Sequence, residues 1–474
     1  MAAVDRNAAA LGVSQKQLME SSGNAVARTV REVAEPGETV AVVAGRGNNG
    51  GDAFVAARFL ANYDVTVHLL GRPETISTTI ARENWEALVA AEASIERVTD
   101  SRELALGDPA VIVDAMLGTG VTGALREPER TAAEQINEAD ATVVAVDVPS
   151  GVDADTGTAA GVTVAADRVV TFHDVKPGLA DRDDLAVTVA DIGIPDAAER
   201  FVGPGDLLAL GRDPESHKGD HGRVFVIGGG PYTGAPALAA EAALRAGADL
   251  AYVAAPEPVA GSIQGYSEDL IVSGFPGEVL GPDRVPDLLE EAADRDVVVL
   301  GPGLGDRAET RDAVAAFLTE YAGRAVIDAD ALTVVSTVQT DATLVCTPHQ
   351  GELVEMGGPR AADWEDRAAA VADFAASLGH TLLVKGHYDI VSDGSTTRIN
   401  RTGNPGMTVG GTGDVLAGAT GALLCTQDPV PAAAMAAYAN GVAGDHVVDE
   451  RGYGLVASDL PERLPAALWG DRDD

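Results

Sequence analysis

Short apolar runs built from Val, Ala and Ile, most of them closing on Gly or Asp and followed by Ala-rich stretches of helical period, recur along the whole chain. They include residues 39–44, 64–70, 110–117 and 141–148 in the first half, and 223–228, 249–255, 296–300 and 325–331 in the second. A strand buried on both faces reads as a continuous apolar run, and parallel neighbours need a crossover between them. The alternation therefore predicts an α/β protein with largely parallel sheets. With 474 residues, 46% of them hydrophobic, the chain can form two or three cores, and its motifs favour two three-layer domains. Aromatic residues make up only 4%, which leaves Val, Ala, Leu and Ile to fill those cores.

A boundary is expected near residue 210, where Gly203, Pro204, Gly205, Gly211 and Pro214 punctuate the chain, giving domains of 1–210 and 211–474. Residues 4–35 read as one amphipathic helix, with Leu11, Val13, Leu18, Met19, Val26 and Val30 on one face. Residues 53–61 read as another helix, and residues 172–179 and 185–192 as closing strands.

The formal net charge is −40, with 73 acidic residues against four lysines, Lys16, Lys176, Lys218 and Lys385. Acid in such excess repels nucleic acid and anionic membrane surfaces, and it repels itself when salt does not screen it. The acids are spread through apolar-periodic segments instead of forming a tail, so adaptation to a high-salt cytoplasm is expected. Where lysine is this scarce, solvated decoration is disfavoured, and Lys218 and Lys385 are expected to have specific partners. Cys346 and Cys425 lie in apolar runs and cannot make a disulfide framework, which implies a reducing cytoplasm. No uncharged apolar span of membrane length occurs, so no membrane partner is expected.

The second half carries a Gly-rich turn, Gly403-Asn404-Pro405-Gly406-Met407-Thr408-Val409-Gly410-Gly411-Thr412-Gly413-Asp414, running into an Ala/Leu-rich helical segment that ends near Cys425. Glycines let the backbone approach a ligand, and a helix starting there aims unpaired amides and a positive dipole end at an anion. Asp414 at that end could accept a proton from an attacking hydroxyl while the amides hold a phosphoryl group. The run resembles the anion-hole motif of ribokinase-like enzymes, in the version carried by the dehydratase that repairs hydrated NADH and NADPH. His217-Lys218-Gly219-Asp220, Thr347-Pro348-His349-Gln350-Gly351-Glu352 and Lys385-Gly386-His387-Tyr388-Asp389 agree with that resemblance, in order. It implies a ribokinase-like C-terminal domain in which Gly303, His349 and Asp414 meet the hydrate. Lys385, Gly386, His387, Tyr388, Asp389, Gly411, Thr412 and Gly413 would meet the nucleotide. The implied reaction is attack of the hydrate's C6 hydroxyl on ADP, with Asp414 as base and Mg2+ screening the diphosphate.

In the first half, three strand ends meet loops of small or carboxylate residues: residues 48–52, residues 118–124 and residues 147–150. Ligands of open α/β sheets bind at the carboxyl edge, so these loops should converge on one pocket. The spacing is neither a dinucleotide fingerprint nor a Walker loop. Asn48-Asn49-Gly50-Gly51-Asp52, Asp114-Ala115-Met116-Leu117-Gly118-Thr119-Gly120 and Asp147-Val148-Pro149-Ser150 resemble the epimerase domain of bifunctional NAD(P)H-hydrate repair enzymes, over roughly residues 1–205. That resemblance implies a Rossmann-like fold and a K+ held by Asn49, Asp114 and Ser150. Substrate contacts would come from Asn48, Asn49, Gly50, Gly51 and Asp52, from Gly118, Thr119, Gly120, Val121, Thr122, Gly123 and Ala124, and from Asp147, the best acid/base for epimerisation at C6.

Three function classes follow. The leading one is cofactor repair acting on NADHX, NADPHX and ADP. The second is a ribokinase-like sugar or vitamin kinase fused to a ligand-binding Rossmann-like module, and the third is a non-catalytic scaffold. The attached epimerase-like half weighs against the kinase, and Asp114 with Asp147 weighs against the scaffold. Nothing in the sequence decides for or against a homo-oligomer.

Overall fold

The computed structural model describes residues 1–120, 122–182 and 184–470, and Val121 lies outside the described residues. The chain divides into two compact units, one of Leu11–Pro195 and one of Met1–Ala10 with Asp196–Asp474. Both are α/β, as the alternating apolar runs predict. The expected boundary near residue 210 falls inside the second unit.

The N-terminal unit is a seven-stranded, wholly parallel sheet. Its strands are β1 Thr39–Ala44, β2 Asp64–Leu70, β3 Ser94–Val98, β4 Val111–Ala115, β5 Thr142–Val146, β6 Arg168–Phe172 and β7 Ala186–Ala190. The spatial order β3-β2-β1-β4-β5-β6-β7 reverses between β1 and β4, and a crevice opens at such a reversal. Gly45 is required there, because a Cβ on it would stand 1.9 Å from the Met116 carbonyl oxygen.

Three expectations are corrected in this half. The helix expected over residues 4–35 is two helices, Ala2–Ala10 and Gln15–Val33. Gly12 sits at φ 91° between them, and Ser14 with Gln17 forms a capping box that restarts the chain. The helix expected from residue 53 begins five residues earlier, as Asn48–Phe59, so Asn48 to Asp52 are its first turns and not a loop. Residues 173–179 form no strand: Phe172 ends β6, and Pro177–Leu179 is a short 3-10 turn.

The C-terminal unit is a nine-stranded sheet, β8 Arg223–Ile227, β9 Leu250–Pro256, β10 Ile271–Phe275, β11 Val297–Leu300, β12 Arg324–Ile327, β13 Thr343–Cys346, β14 Thr381–Val384, β15 Asp389–Ser392 and β16 Thr397–Asn400. Its order is β10-β9-β8-β11-β12-β13-β14-β15-β16, parallel as far as β14, with the last two strands antiparallel. The aromatic-poor core is filled largely by alanine packing. The helix Thr412–Leu424 is buried from Val415 to Leu424 and lies so close to the helix Gly234–Arg245 that a Cβ on Gly418 would be 1.9 Å from the Ala239 carbonyl oxygen.

The helix Ala2–Ala10 belongs to this unit. Asn7, 4% exposed, donates to the Ala198 carbonyl (3.0 Å) and to Asp206 (3.1 Å), and accepts from the Gly205 amide (2.8 Å). Asp206 also pairs with Arg398 on β16 (2.7 Å). The segment around Phe201 runs beside β16, with the Val202 amide donating to the Ile399 carbonyl at 2.8 Å. No described helix of either unit is long and apolar enough to cross a membrane.

Candidate active sites

In the N-terminal unit the strand ends flanking the reversal carry the residues singled out above. The helix Asn48–Phe59 starts at Gly47 without a side-chain cap, leaving its first amides open. Asn48 accepts a hydrogen bond from Thr78 Oγ1 at 2.7 Å. Asn49 is 9% exposed, and its Oδ1 and Nδ2 are both buried without a hydrogen-bond partner. Buried polar atoms left unpaired cost on the order of 1–3 kcal/mol each, so both ends of the Asn49 amide are candidates for contact with a bound group. A Cβ on Gly118 would lie 3.7 Å from Asn49 Oδ1, which joins the first loop to the second. Residues Thr119, Gly120, Thr122, Gly123 and Ala124 form an exposed loop beyond it.

Asp114, at the end of β4, is fully buried, and burial pushes its carboxyl up to about 6 despite the hydrogen bonds that oppose the shift. It accepts from Ser150 Oγ (2.7 Å), the Ser150 amide (2.8 Å) and the Met116 amide (3.3 Å). Asp114 and Ser150 therefore tie the second loop to the third. Asp147, directly after β5, adopts φ 68°, and its Oδ1 accepts from Thr171 Oγ1 at 3.1 Å. Lys176 Nζ also lies 3.1 Å from that oxygen.

In the C-terminal unit, strand ends again supply the site. Lys385 follows β14, and the turn from Lys385 to Tyr388 joins β14 to β15. Its Nζ donates to Asp328 Oδ1 (2.9 Å) and lies 3.7 Å from Glu352. Burial works against its charge, but Asp328, Glu352 and Asp414 outweigh burial and hold the ammonium above its ordinary range. Asp328, after β12, is 2% exposed and also accepts from Thr347 Oγ1 at 2.7 Å. Asp389 shapes the turn, accepting from the Gly386 amide and Asn400 Nδ2, both at 2.9 Å, while burial pushes its carboxyl up to about 6. Tyr388 stacks on Trp364 with centroids 4.8 Å apart.

The Gly-rich turn delivers the helix Thr412–Leu424 to this lysine. Gly411 adopts φ 99° at the N-cap, Thr412 Oγ1 donates to the Met407 carbonyl (2.9 Å), and a Cβ on Gly413 would stand 3.2 Å from Lys385 Nζ. Asp445 braces the turn from behind, accepting from the Gly403 amide (3.0 Å) and Asn404 Nδ2 (2.8 Å). Asp414 lies in the first helical turn and makes no hydrogen bond or ion pair among the described residues. Burial raises its carboxyl to about 7, with Asp328 and Glu352 adding to the shift and Lys385 opposing it. A helix N-terminus favours a carboxylate by about 0.3–1 kcal/mol. The rise from 3.8 to about 7 is worth on the order of 4 kcal/mol, so burial wins.

His349 is placed at the same edge but is partly committed. It caps the helix Gln350–Glu355, its Nδ1 accepting from the Glu352 amide at 3.0 Å and its Nε2 lying 3.6 Å from Glu352 Oε1, on a side chain 60% exposed. Gly303 is buried, and a Cβ on it would stand 2.5 Å from the Tyr232 carbonyl oxygen. Sequence reasoning gave no site role to Asp328, Glu352, Thr347, Asp445, Thr78 or Lys176, although Thr347 and Glu352 lie in a motif it singled out. Of the two lysines expected to have partners, Lys385 has them, whereas Lys218 is exposed with none among the described residues. Lys176, with the same scarcity in its favour, is the buried lysine among the described residues.

Together these features define a two-unit α/β enzyme whose C-terminal unit is ribokinase-like. That fold is shared with a ribokinase-like superfamily protein from Enterococcus faecalis, 27% identical over 57% of this chain and 95% of that one, with a TM-score of 0.51. It is shared as well with an ADP/ATP-dependent NAD(P)H-hydrate dehydratase from Bacillus subtilis, co-crystallised with ATP and Mg2+, 28% identical over 56% of this chain and 97% of that one, TM-score 0.50. Residues 224–466 match the family described as NAD(P)H-hydrate dehydratase, and residues 15–178 match the YjeF-related protein N-terminus. Bifunctional NAD(P)H-hydrate repair enzymes are similar over the full length. The one from Methanothermobacter thermautotrophicus is 43% identical over 99% of this chain and 94% of its own, and that from Pyrobaculum aerophilum 46% over 99% and 97%. The chain belongs to the family of bifunctional NAD(P)H-hydrate repair enzymes.

Proposed function

We infer that this protein restores hydrated nicotinamide cofactors, interconverting the R and S forms of NAD(P)HX and dehydrating the S form to NAD(P)H with ADP, giving AMP and phosphate. The observation that carries the reading is Asp414: a carboxyl poised at about 7, in the first turn of a helix begun by Gly411, beside Lys385. A general base works best when its titration lies near the working pH. In dehydration the C6 hydroxyl of the hydrate attacks the terminal phosphoryl of ADP, and its proton passes to Asp414. The amides of the first helical turn and Lys385 hold the phosphoryl group. Phosphate then leaves C6 while C5 loses a proton, which restores the ring double bond.

The functional division proposed is that of the sequence, 1–210 for epimerisation and 211–474 for dehydration, with residues 1–10 and 196–210 packed in the second compact unit. Asp147 is assigned the acid/base role in epimerisation, and Gly303, His349, Lys385 to Asp389 and Gly411 to Gly413 the substrate and nucleotide contacts. A K+ fits the N-terminal site, because Asn49 Oδ1 is a buried oxygen without a partner and Asp114 and Ser150 add hard oxygen donors. Bound there, it would hold the three loops together. Mg2+, arriving with the nucleotide, would supply charge screening for the diphosphate. The net charge of −40 supports a high-salt cytoplasm as the working environment.

The deciding experiment incubates the protein with each hydrate epimer, with and without ADP, and follows reduced-nicotinamide absorbance. Return of absorbance from the S epimer only with nucleotide, and from the R epimer after a lag, is expected. A stable phosphorylated product with no absorbance return would replace repair by a kinase activity.

A further inference from the structure

Lys176 has no part in the chemistry assigned so far, yet it is 7% exposed, and an ammonium buried without partners is costly. It is held by the carbonyls of Phe172 (2.9 Å) and Asp174 (3.3 Å), which fix Nζ 3.1 Å from Asp147 Oδ1. Thr171 Oγ1 donates to that same oxygen at 3.1 Å. The backbone of Asp147 is fixed as firmly: its amide donates to the Val170 carbonyl at 2.7 Å, and its φ of 68° is a left-handed conformation that costs a non-glycine residue on the order of 1–3 kcal/mol. Two donors and a strained backbone thus converge on one oxygen. Asp147 Oδ2 has no hydrogen-bond partner among the described residues, on a side chain still 16% exposed.

We infer that Lys176, together with Thr171, is the positioning residue of the N-terminal site, tying down Asp147 Oδ1 so that Oδ2 alone exchanges a proton with the C6 hydroxyl of the hydrate. The inference rests on the epimerase reading. Lys176 and Thr171 give up no proton: the hydroxyl proton passes to Oδ2 as the C6–N1 bond opens to an aldehyde with its electron pair on N1, and it returns to the oxygen when N1 closes on the other face of that carbonyl. Strain of this kind persists where the surroundings over-determine it, and here Lys176, Thr171 and Val170 do so.

The test is a double-mutant cycle in the full-length protein, reading equilibration of the two epimers. Lys176→Met should lower kcat by about 100-fold with KM changed less than about threefold, because a misdirected base loses transition-state contact and not binding. In the Asp147→Asn background the same substitution should cost less than about threefold, since the group it positions is already disabled. A lysine that merely holds residues 172–179 in place would cost the same factor in both backgrounds, which overturns the inference. If Lys176→Met alone fails to fold, the comparison of Asp147→Asn with the double variant, in which both charges of the pair are gone, still decides. A parent enzyme that does not equilibrate the epimers overturns the epimerase reading together with this inference. An active parent with Lys176→Met near the parental rate overturns the inference alone.

Discussion

Both units set a carboxylate and a lysine at the carboxyl edge of a parallel sheet, but the lysine touches a different carboxylate in each. In the N-terminal unit Lys176 lies 3.1 Å from Asp147, the residue assigned the chemistry. In the C-terminal unit Lys385 is spent on Asp328 at 2.9 Å, and Asp414 is left to burial and to its acidic neighbours. The same two residue types therefore do opposite things. One pairing fixes a carboxylate's orientation, and the other leaves a carboxyl able to take or release a proton near neutrality.

The largest way to break this comparison is to disable each carboxylate in turn. Asp414→Asn should lower dehydration by roughly 10²–10⁴-fold while ADP affinity and epimerisation stay unchanged, and Asp147→Asn should do the reverse. Asn serves as well as Asp at a helix N-terminus, so near-normal dehydration by Asp414→Asn would reduce Asp414 to a structural role. Next in size is pH. Below about 7 Asp414 carries a proton and cannot accept one, so kcat/KM for dehydration should fall about tenfold per unit as pH drops below that value. Lys385→Met removes the cation that opposes the rise, and the limb should move to higher pH; a limb that stays put would mean another group is being titrated.

Stability should separate the two sites by sign. Asp414 is harder to ionise folded than unfolded, so folding takes up a proton between roughly pH 4 and 7, and the stability it costs grows as pH rises through that window. Asp414→Asn should accordingly stabilise the protein at pH 8 by on the order of 1–3 kcal/mol. Asp147→Asn leaves Lys176 buried without its charge partner and should destabilise by a similar amount. Denaturant midpoints of the two variants moving the same way would dissolve the contrast. Asn7→Ala removes three hydrogen bonds, two of them buried, and should cost on the order of 1–3 kcal/mol in the C-terminal unit, with epimerisation untouched. The smallest effect is shared: lowering salt from molar to ~0.1 M, where the Debye length is about 10 Å, should lower the melting temperature of both units.

Much of this was legible because motif residues sit at strand ends, where parallel-sheet topology must bring them together. Asp114 lies in the last two residues of β4, Asp147, His349 and Lys385 follow strands, and Gly411 to Asp414 begin a helix at the same kind of edge. What was not legible depends on pairings across sequence. Asp328 reads as one of several strand-end acids until Lys385 and Thr347 are seen upon it. Lys176 sits in a stretch that reads as strand, and only its burial marks it. The break before Gln15 was readable: Ser14 followed three residues later by Gln17 is a capping-box pattern, outweighed by apolar periodicity that runs through it.

That break gives the first helix a history of its own. Its residues leave the ribosome before the Leu11–Pro195 unit, but Asn7 bonds to Ala198, 191 positions later. At about 5–20 residues per second the helix waits roughly 10–40 s for its partners, while the whole Leu11–Pro195 unit emerges and can fold in between. In sequence the Leu11–Pro195 unit therefore interrupts the other one, separating Met1–Ala10 from Asp196–Asp474.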